Sequence, residues 1–311
     1  MIAPVSASAR TSARTRLTSA HAMRTLATRT KEATMKRTGA IAGASMVAVV
    51  AGTFFLTAHL NSQTTGLPDL IVDQAALRQH WVVRTEDLPA NFCSVQEGNI
   101  TPGEHQLLRF TVATPNVGDA DLVVGDPNQH VNDGLFEFAS CHNHYHFKHY
   151  ALYELVDPKT GTVWKAAKRG FCMIDIEKFQ GYTGDADNKR HFASCGAIGI
   201  PGNQGISKGW SDVYVWKLGG QYFLLDGGDG QPAVPPGDYV IRITVNPPFV
   251  PAPGEACPNV DPSGFCHTLP ESDYANNIAQ VSITVPDHNG RQSVGPLKNE
   301  PLLTVEPIDG K

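Results

Sequence analysis

The sequence predicts an all-β, β-sandwich-like domain with long irregular loops and disulfides. Three observations carry that prediction. Short apolar runs recur between Gly, Pro, Asn and Asp punctuation. Two of these runs alternate with a period of two, and no stretch after Thr64 carries a long helical stripe.

In chain order, strands are expected over residues 106–113, 142–155, 162–168, 212–218 and 222–226. In residues 239–245, Tyr239, Ile241, Ile243 and Val245 fall on one face, with Arg242 and Thr244 on the other. In residues 278–285, Ala279, Val281, Ile283 and Val285 alternate with Gln280, Ser282 and Thr284. Both patterns describe half-buried strands of a sandwich. The chain shows no internal repeat and no P-loop, G-x-G-x-x-G or G-x-S-x-G pattern.

Composition narrows the partners. The chain has 311 residues, 41% hydrophobic and 18% charged, with 29 Gly and 22 Pro. These values exclude a collagen, a disordered tail and a multi-span membrane protein. Residues 1–60 hold eight basic side chains (Arg10, Arg14, Arg16, Arg24, Arg29, Lys31, Lys36, Arg37) against Glu32 alone. Of the 25 basic and 30 acidic residues in the whole chain, 17 and 29 therefore remain for residues 61–311. So acidic a globular part is unsuited to nucleic acid, whose phosphates require clustered Lys and Arg. It favours a cationic partner instead.

The leader reads as an address. A basic stretch up to Thr38 precedes an uncharged apolar run over residues 39–58, the pattern of a signal peptide or an uncleaved signal anchor. Met35, immediately before Lys36 and Arg37, offers a second start, which would place residues 1–34 upstream of the true N-terminus or make them an unusually long leader. The expected organisation is a leader over 1–60, a globular domain over 61–290 and a tail over 291–311. The product would be secreted or extracytoplasmic, with membrane contact only if residues 39–58 remain as an anchor.

All six cysteines (Cys93, Cys141, Cys172, Cys195, Cys257, Cys266) follow the apolar run, and none forms a C-x-x-C pair. An even count after an export signal suits three disulfides. Spacing alone suggests only Cys257 with Cys266, which share one Pro/Gly-rich loop.

The chemistry concentrates in C-H-N-H-Y-H-F-K-H-Y, residues 141–150. On a strand, His142, His144 and His146 project from one face, close enough to converge on one ion. Tyr145, Phe147, Ala151, Tyr153 and Leu155 form the opposite, core side. Three imidazoles without a thiolate suit Cu(II), Zn(II), Ni(II) or Fe(II), and copper binds most strongly in the Irving–Williams order. His149 has the odd register, which makes it a core histidine or one brought round by a bulge.

The stretch F-E-F-A-S-C-H-N-H-Y-H-F-K-H-Y-A-L, residues 136–152, resembles the copper motif of the lysyl oxidase family. Downstream, K-R-G-F-C-M-I-D (168–175), R-H-F-A-S-C (190–195) and G-I-S-K-G-W-S-D-V-Y (205–214) are similar to further motifs of that family, in order. G-D-Y (237–239), N-P (246–247) and E-S-D-Y-A-N-N (271–277) extend the resemblance towards Val285.

The resemblance implies copper held by His142, His144 and His146, and a lysine tyrosylquinone formed from Lys168 and Tyr214. It implies oxidative deamination of primary amines by O₂, the amine being a cationic small molecule or a lysine-containing polypeptide. The products would be an aldehyde, ammonia and hydrogen peroxide. His149, Asp212 and Asp175 are the candidates for the general base, the two aspartates being equally suited to capping a turn. The family's disulfide pattern implies Cys93–Cys141 and Cys172–Cys195. Trp210 and Trp216 flank the quinone tyrosine, either walling a substrate channel or packing. Two departures stand out. The spacing from His146 to His149 is four residues shorter than in animal members, and the family's cysteine-rich extras are largely missing. The resemblance is to a secreted homologue of bacterial type. The alternative function is a non-catalytic secreted metal-binding β-sandwich or an adhesion module.

Overall fold

The structure, a computed structural model, describes residues 66–251 and 256–290. The leader, with its apolar run, and the tail from residue 291 lie outside the described residues. Among those described, two six-residue helices precede or interrupt the first strands, α1 (Gln74–Gln79) and α2 (Cys93–Gly98). The strands begin with β1 (Trp81–Leu88), β2 (Gly103–Phe110), β3 (Val112–Pro115), β4 (Leu122–Gly125), β5 (Phe136–Ala139) and β6 (His144–Phe147). They continue with β7 (Ala151–Val156), β8 (Val163–Lys165), β9 (Glu177–Lys178), β10 (Gln204–Ile206) and β11 (Trp210–Tyr214). The last are β12 (Tyr222–Leu224), β13 (Gly237–Val245), β14 (Asn259–Val260), β15 (Cys266–His267) and β16 (Ile278–Val285).

The all-β reading holds, and every strand pairing is antiparallel. The strands are shared among six small sheets, the largest having the order β16-β13-β7-β8 and a second the order β1-β2-β12. Side chains of these two sheets meet in one core. Tyr153, Leu155, Ile241, Ile243, Val281 and Ile283 of the first join Val83, Leu108, Phe110 and Phe223 of the second. Each such fully buried side chain contributes about 1.5–3 kcal/mol. The period of two in β13 and β16 buries the faces that the sequence assigned to the core. Thr244, expected on the outer face, is also buried.

Several expected strands are shorter than the sequence suggested. Residues 106–113 divide into β2 and β3 around Thr111, and 142–155 divides into β6 and β7. The second break falls at His149, whose left-handed φ of 58° ends the extended backbone.

All six cysteines are paired, as Cys93–Cys141, Cys172–Cys195 and Cys257–Cys266. No helix among the described residues is long and apolar enough to cross a membrane.

Two buried polar hubs fix the loops around the site. Asp175 accepts from the backbone N–H of His191 and Phe192 and from the Ser207 hydroxyl at Oδ2, and from the Ser207 N–H at Oδ1. One carboxylate thus ties together the stretches 168–175, 190–195 and 205–214. Arg109 lies in β2 and is fully buried. It makes a two-pronged pair with Glu86 and donates to the carbonyls of Trp216 and Leu218, anchoring the turn that follows Tyr214.

Candidate metal and cofactor site

β5 and β6 form a hairpin in which Ala139 faces His144. Alternation along β6 sends His144 and His146 to one side, while Phe147 enters the main core on the other. His142 does not lie on the strand. It sits in the hairpin turn ahead of Asn143, whose φ of 55° is left-handed. A short polar side chain tolerates that conformation, so the turn supplies the third imidazole where strand periodicity was expected to do so.

The three rings nonetheless converge. Their centroids are 4.9 Å (His144–His146), 5.0 Å (His142–His146) and 5.5 Å (His142–His144) apart, and all three side chains are buried. The Nε2 atoms of His144 and His146 stand 3.2 Å apart. Both ring nitrogens of His142 are buried without a hydrogen-bond partner. A buried imidazole without partners is costly unless something else binds it, and a cation does so. Burial, followed by the charge of Lys168 and the two neighbouring imidazoles, pushes the His146 pKa down to about 2. The ring is therefore neutral at any working pH, the form a metal ligand requires.

Sequence reasoning missed two further contributors. Glu97 of α2 places Oε2 3.3 Å from His142 Nδ1, outside hydrogen-bond geometry. It arrives there because the Cys93–Cys141 bridge fastens the start of α2 beside the residue preceding His142. The second is Gly170, where an added Cβ would lie 1.9 Å from His146 Nδ1. Only a residue without a side chain lets this backbone lie against the imidazole.

Gly170 belongs to the segment that carries Lys168. Its neighbour Phe171 accepts a 2.7 Å hydrogen bond at its carbonyl from the Phe147 N–H, docking the segment on β6. Phe171 also meets the Tyr214 ring edge-on, with centroids 5.3 Å apart. Cys172 grips the phenol at both its backbone groups. Its N–H donates to Tyr214 Oη at 2.7 Å, and Oη donates to its carbonyl at 2.9 Å. Residues 168–172 therefore touch the imidazoles at one point and the phenol at another.

Lys168 completes that link. It is buried, with Nζ 5.0 Å from the Tyr214 ring centroid and 5.7 Å from that of Phe171. It also lines, with His142, His146, Glu97 and Glu137, a cavity of about 60 Å³. Burial, reinforced by the charge of Asp212, raises the Tyr214 pKa well above the ordinary phenol value, keeping the hydroxyl protonated.

The three base candidates separate. Asp212 in β11 is fully buried, and burial pushes its carboxyl well above the usual carboxylate range, against the opposing effects of Tyr150 and Lys168. Its Oδ2 makes no hydrogen bond. Asp175 spends its oxygens on four donors as a structural tie. His149 is exposed, at a left-handed turn position, with its ring stacked on Phe249 at 5.7 Å. It is neither a core histidine nor part of a bulged strand. The two tryptophans pack: Trp210 donates to the Asp187 carbonyl, and Trp216 lies against Val82 and under the Arg84 guanidinium.

The fold and this site define a disulfide-tied β protein with a histidine-rich candidate metal centre beside a buried lysine–tyrosine pair. The lysyl oxidase family model matches residues 82–256, and the chain belongs to the lysyl oxidase family. It is 28% identical over 240 residues to protein-lysine 6-oxidase of Rattus norvegicus, covering 73% of this chain and 49% of the relative. The Homo sapiens protein of that name matches at the same identity and length, with 48% of it covered. Lysyl oxidase homolog 2 of Pongo abelii is 29% identical over 234 residues, 71% of this chain and 25% of the relative. The chain spans about half the length of the first two of these curated relatives.

Proposed function

We propose that this chain is an exported, copper-dependent amine oxidase of lysyl oxidase type that converts primary amines to aldehydes, with release of ammonia and hydrogen peroxide. The observation that carries the reading is that Lys168 lies over the Tyr214 ring while lining the same small cavity as His142 and His146. The three disulfides, and the basic and apolar leader that precedes them, support export.

His142, His144 and His146 would hold the copper. Lys168 and Tyr214 would supply the atoms of the quinone. When present, these groups provide the redox chemistry that joins amine oxidation to reduction of O₂. The protein's own part is positioning and proton transfer. The backbone of Cys172 holds the phenol oxygen from both sides, which fixes the ring relative to Lys168. Asp212 is the best-placed base, since its buried Oδ2 is uncommitted and close enough to Lys168 and Tyr214 to feel and impose their charges.

The test is quinone redox staining of copper-loaded protein. Wild type is expected to stain, and Tyr214→Phe is not. Copper binding without staining would leave the non-catalytic metal-binding reading in its place.

A further inference from the structure

The cavity that joins Lys168 to the histidines is too small for a substrate. Its volume of about 60 Å³ has room for roughly two waters. Lys168 also lines a second cavity, of about 310 Å³, with Lys148, Tyr153, Glu154, Lys165 and Arg169 among the other walls. That volume falls at the lower end of the range for ligand pockets. Tyr153 stands in its wall beside the candidate cofactor lysine, and burial, followed by the charge of Asp212, raises the Tyr153 pKa well above the ordinary phenol value.

The charge of this cavity opposes that of the domain. Residues 61–311 are strongly acidic, yet apart from the candidate cofactor lysine these walls carry three cations, Lys148, Lys165 and Arg169, against Glu154. Glu154 is already paired with Arg242 at 2.8 Å, and Arg169 is paired with Asp229. Lys148 and Lys165 form no ion pair among the described residues, and Lys165 is exposed. Charges are screened over about 8 Å at physiological ionic strength. At contact range the basic rim therefore decides recognition, and the acidic remainder acts only on distant encounter.

We infer that the cleft takes a primary amine borne on an anionic body, in particular a lysine flanked by carboxylates in an acidic polypeptide. This inference rests on the amine oxidase reading. Lys148 and Lys165 pair with the flanking carboxylates. The same cations disfavour a charged ammonium beside them and so favour the neutral amine, which is the nucleophilic form. At the cleft this reverses the expectation from composition: in place of a generally cationic substrate, the basic walls select an amine whose neighbours are negative.

The experiment compares peroxide release by the copper-loaded protein on two lysine peptides of equal length, one flanked by Glu and one by Arg. The kcat/KM for the Glu-flanked peptide should exceed the other by about tenfold and fall as salt rises, with Lys148→Glu/Lys165→Glu reversing the ratio. A Glu-flanked peptide carrying norleucine in place of lysine should bind wild type, read by fluorescence anisotropy, and bind the double variant at least about tenfold more weakly. Quinone staining with equal rates on both peptides overturns the inference and leaves the proposed function standing. If staining and turnover are both absent, the proposed function falls. Norleucine-peptide binding then decides the cleft alone: binding sensitive to the double substitution supports recognition of an acidic chain, and its absence overturns it.

Discussion

The Nζ of Lys168 stands 5.0 Å from the centre of the Tyr214 ring, with both side chains buried and the phenol oxygen clasped by Cys172. On the proposed function, that nitrogen becomes bonded to a carbon of the ring. Proteolysis of copper-loaded, aerated protein should yield a crosslinked peptide pair joining Lys168 to Tyr214 by mass spectrometry. Lys168→Met should lose both the crosslink and the quinone stain. Recovery of a linear Lys168 peptide in full yield from stain-positive protein would refute this pairing.

Gly170→Ala tests the contact with His146. The added methyl would fall 1.9 Å from Nδ1, so the imidazole must leave its place. Copper affinity, measured by chelator competition, should drop at least about tenfold, as for other perturbations of ligand orientation. Far-ultraviolet dichroism should hardly change. Unaltered affinity would mean that His146 is not a ligand in the pose described.

Glu97→Gln tests the carboxylate beside His142. Groups that orient a ligand imidazole typically govern about 10–100-fold in metal affinity. A loss in that range, with an altered copper(II) EPR spectrum, is expected. An unchanged spectrum and affinity would make Glu97 a bystander.

The two buried aspartates should part company when each is replaced by asparagine. Burial raises the Asp212 pKa, so the carboxyl keeps its proton in mildly acidic solution and becomes a base only as the pH climbs. Turnover should rise along a limb lying above the ordinary carboxylate range, and Asp212→Asn should remove that limb with about 10²–10⁴ of kcat. Because the folded value is the higher one, the contribution of Asp212 to stability is complete below its unfolded pKa and disappears as the pH passes upward through the folded one. Asp175→Asn should instead cost about 2–4 kcal/mol of stability by upsetting four accepted hydrogen bonds, leaving the shape of the rate profile intact. Loss of the rising limb in Asp175→Asn, with stability unchanged, would reverse these assignments.

The sequence made the β character legible because β13 and β16 alternate cleanly. It made the disulfides legible through the family's pattern and, for Cys257–Cys266, through proximity in one loop. The strand β1 escaped notice because its buried positions include Glu86, which is tolerated there through its pairs with Arg109 and Arg84. Helices of six residues are too short to show periodicity, although Asp73 does cap the first by accepting from the N–H groups of Ala75 and Ala76. At the site, the histidine spacing was informative and the means of delivery was not. A left-handed Asn143 leaves no trace in a pattern of alternation. Glu97 meets His142 across a crosslink whose ends are 48 residues apart, a juxtaposition that local reading does not reach.

On the proposed function, that same crosslink orders the steps of maturation. Cys141 immediately precedes His142, and its partner opens the helix that brings Glu97 alongside. On the proposed function, a newly exported chain with free thiols would offer two strand-borne imidazoles and a third held by the hairpin turn alone, without Glu97 fastened beside it. Sulfur oxidation should thus come before copper capture, and copper capture before modification of the aromatic ring. Chains held reduced and then supplied with the metal should take it up poorly until an oxidant is added, and rapid uptake by the fully reduced chain would break that sequence of events.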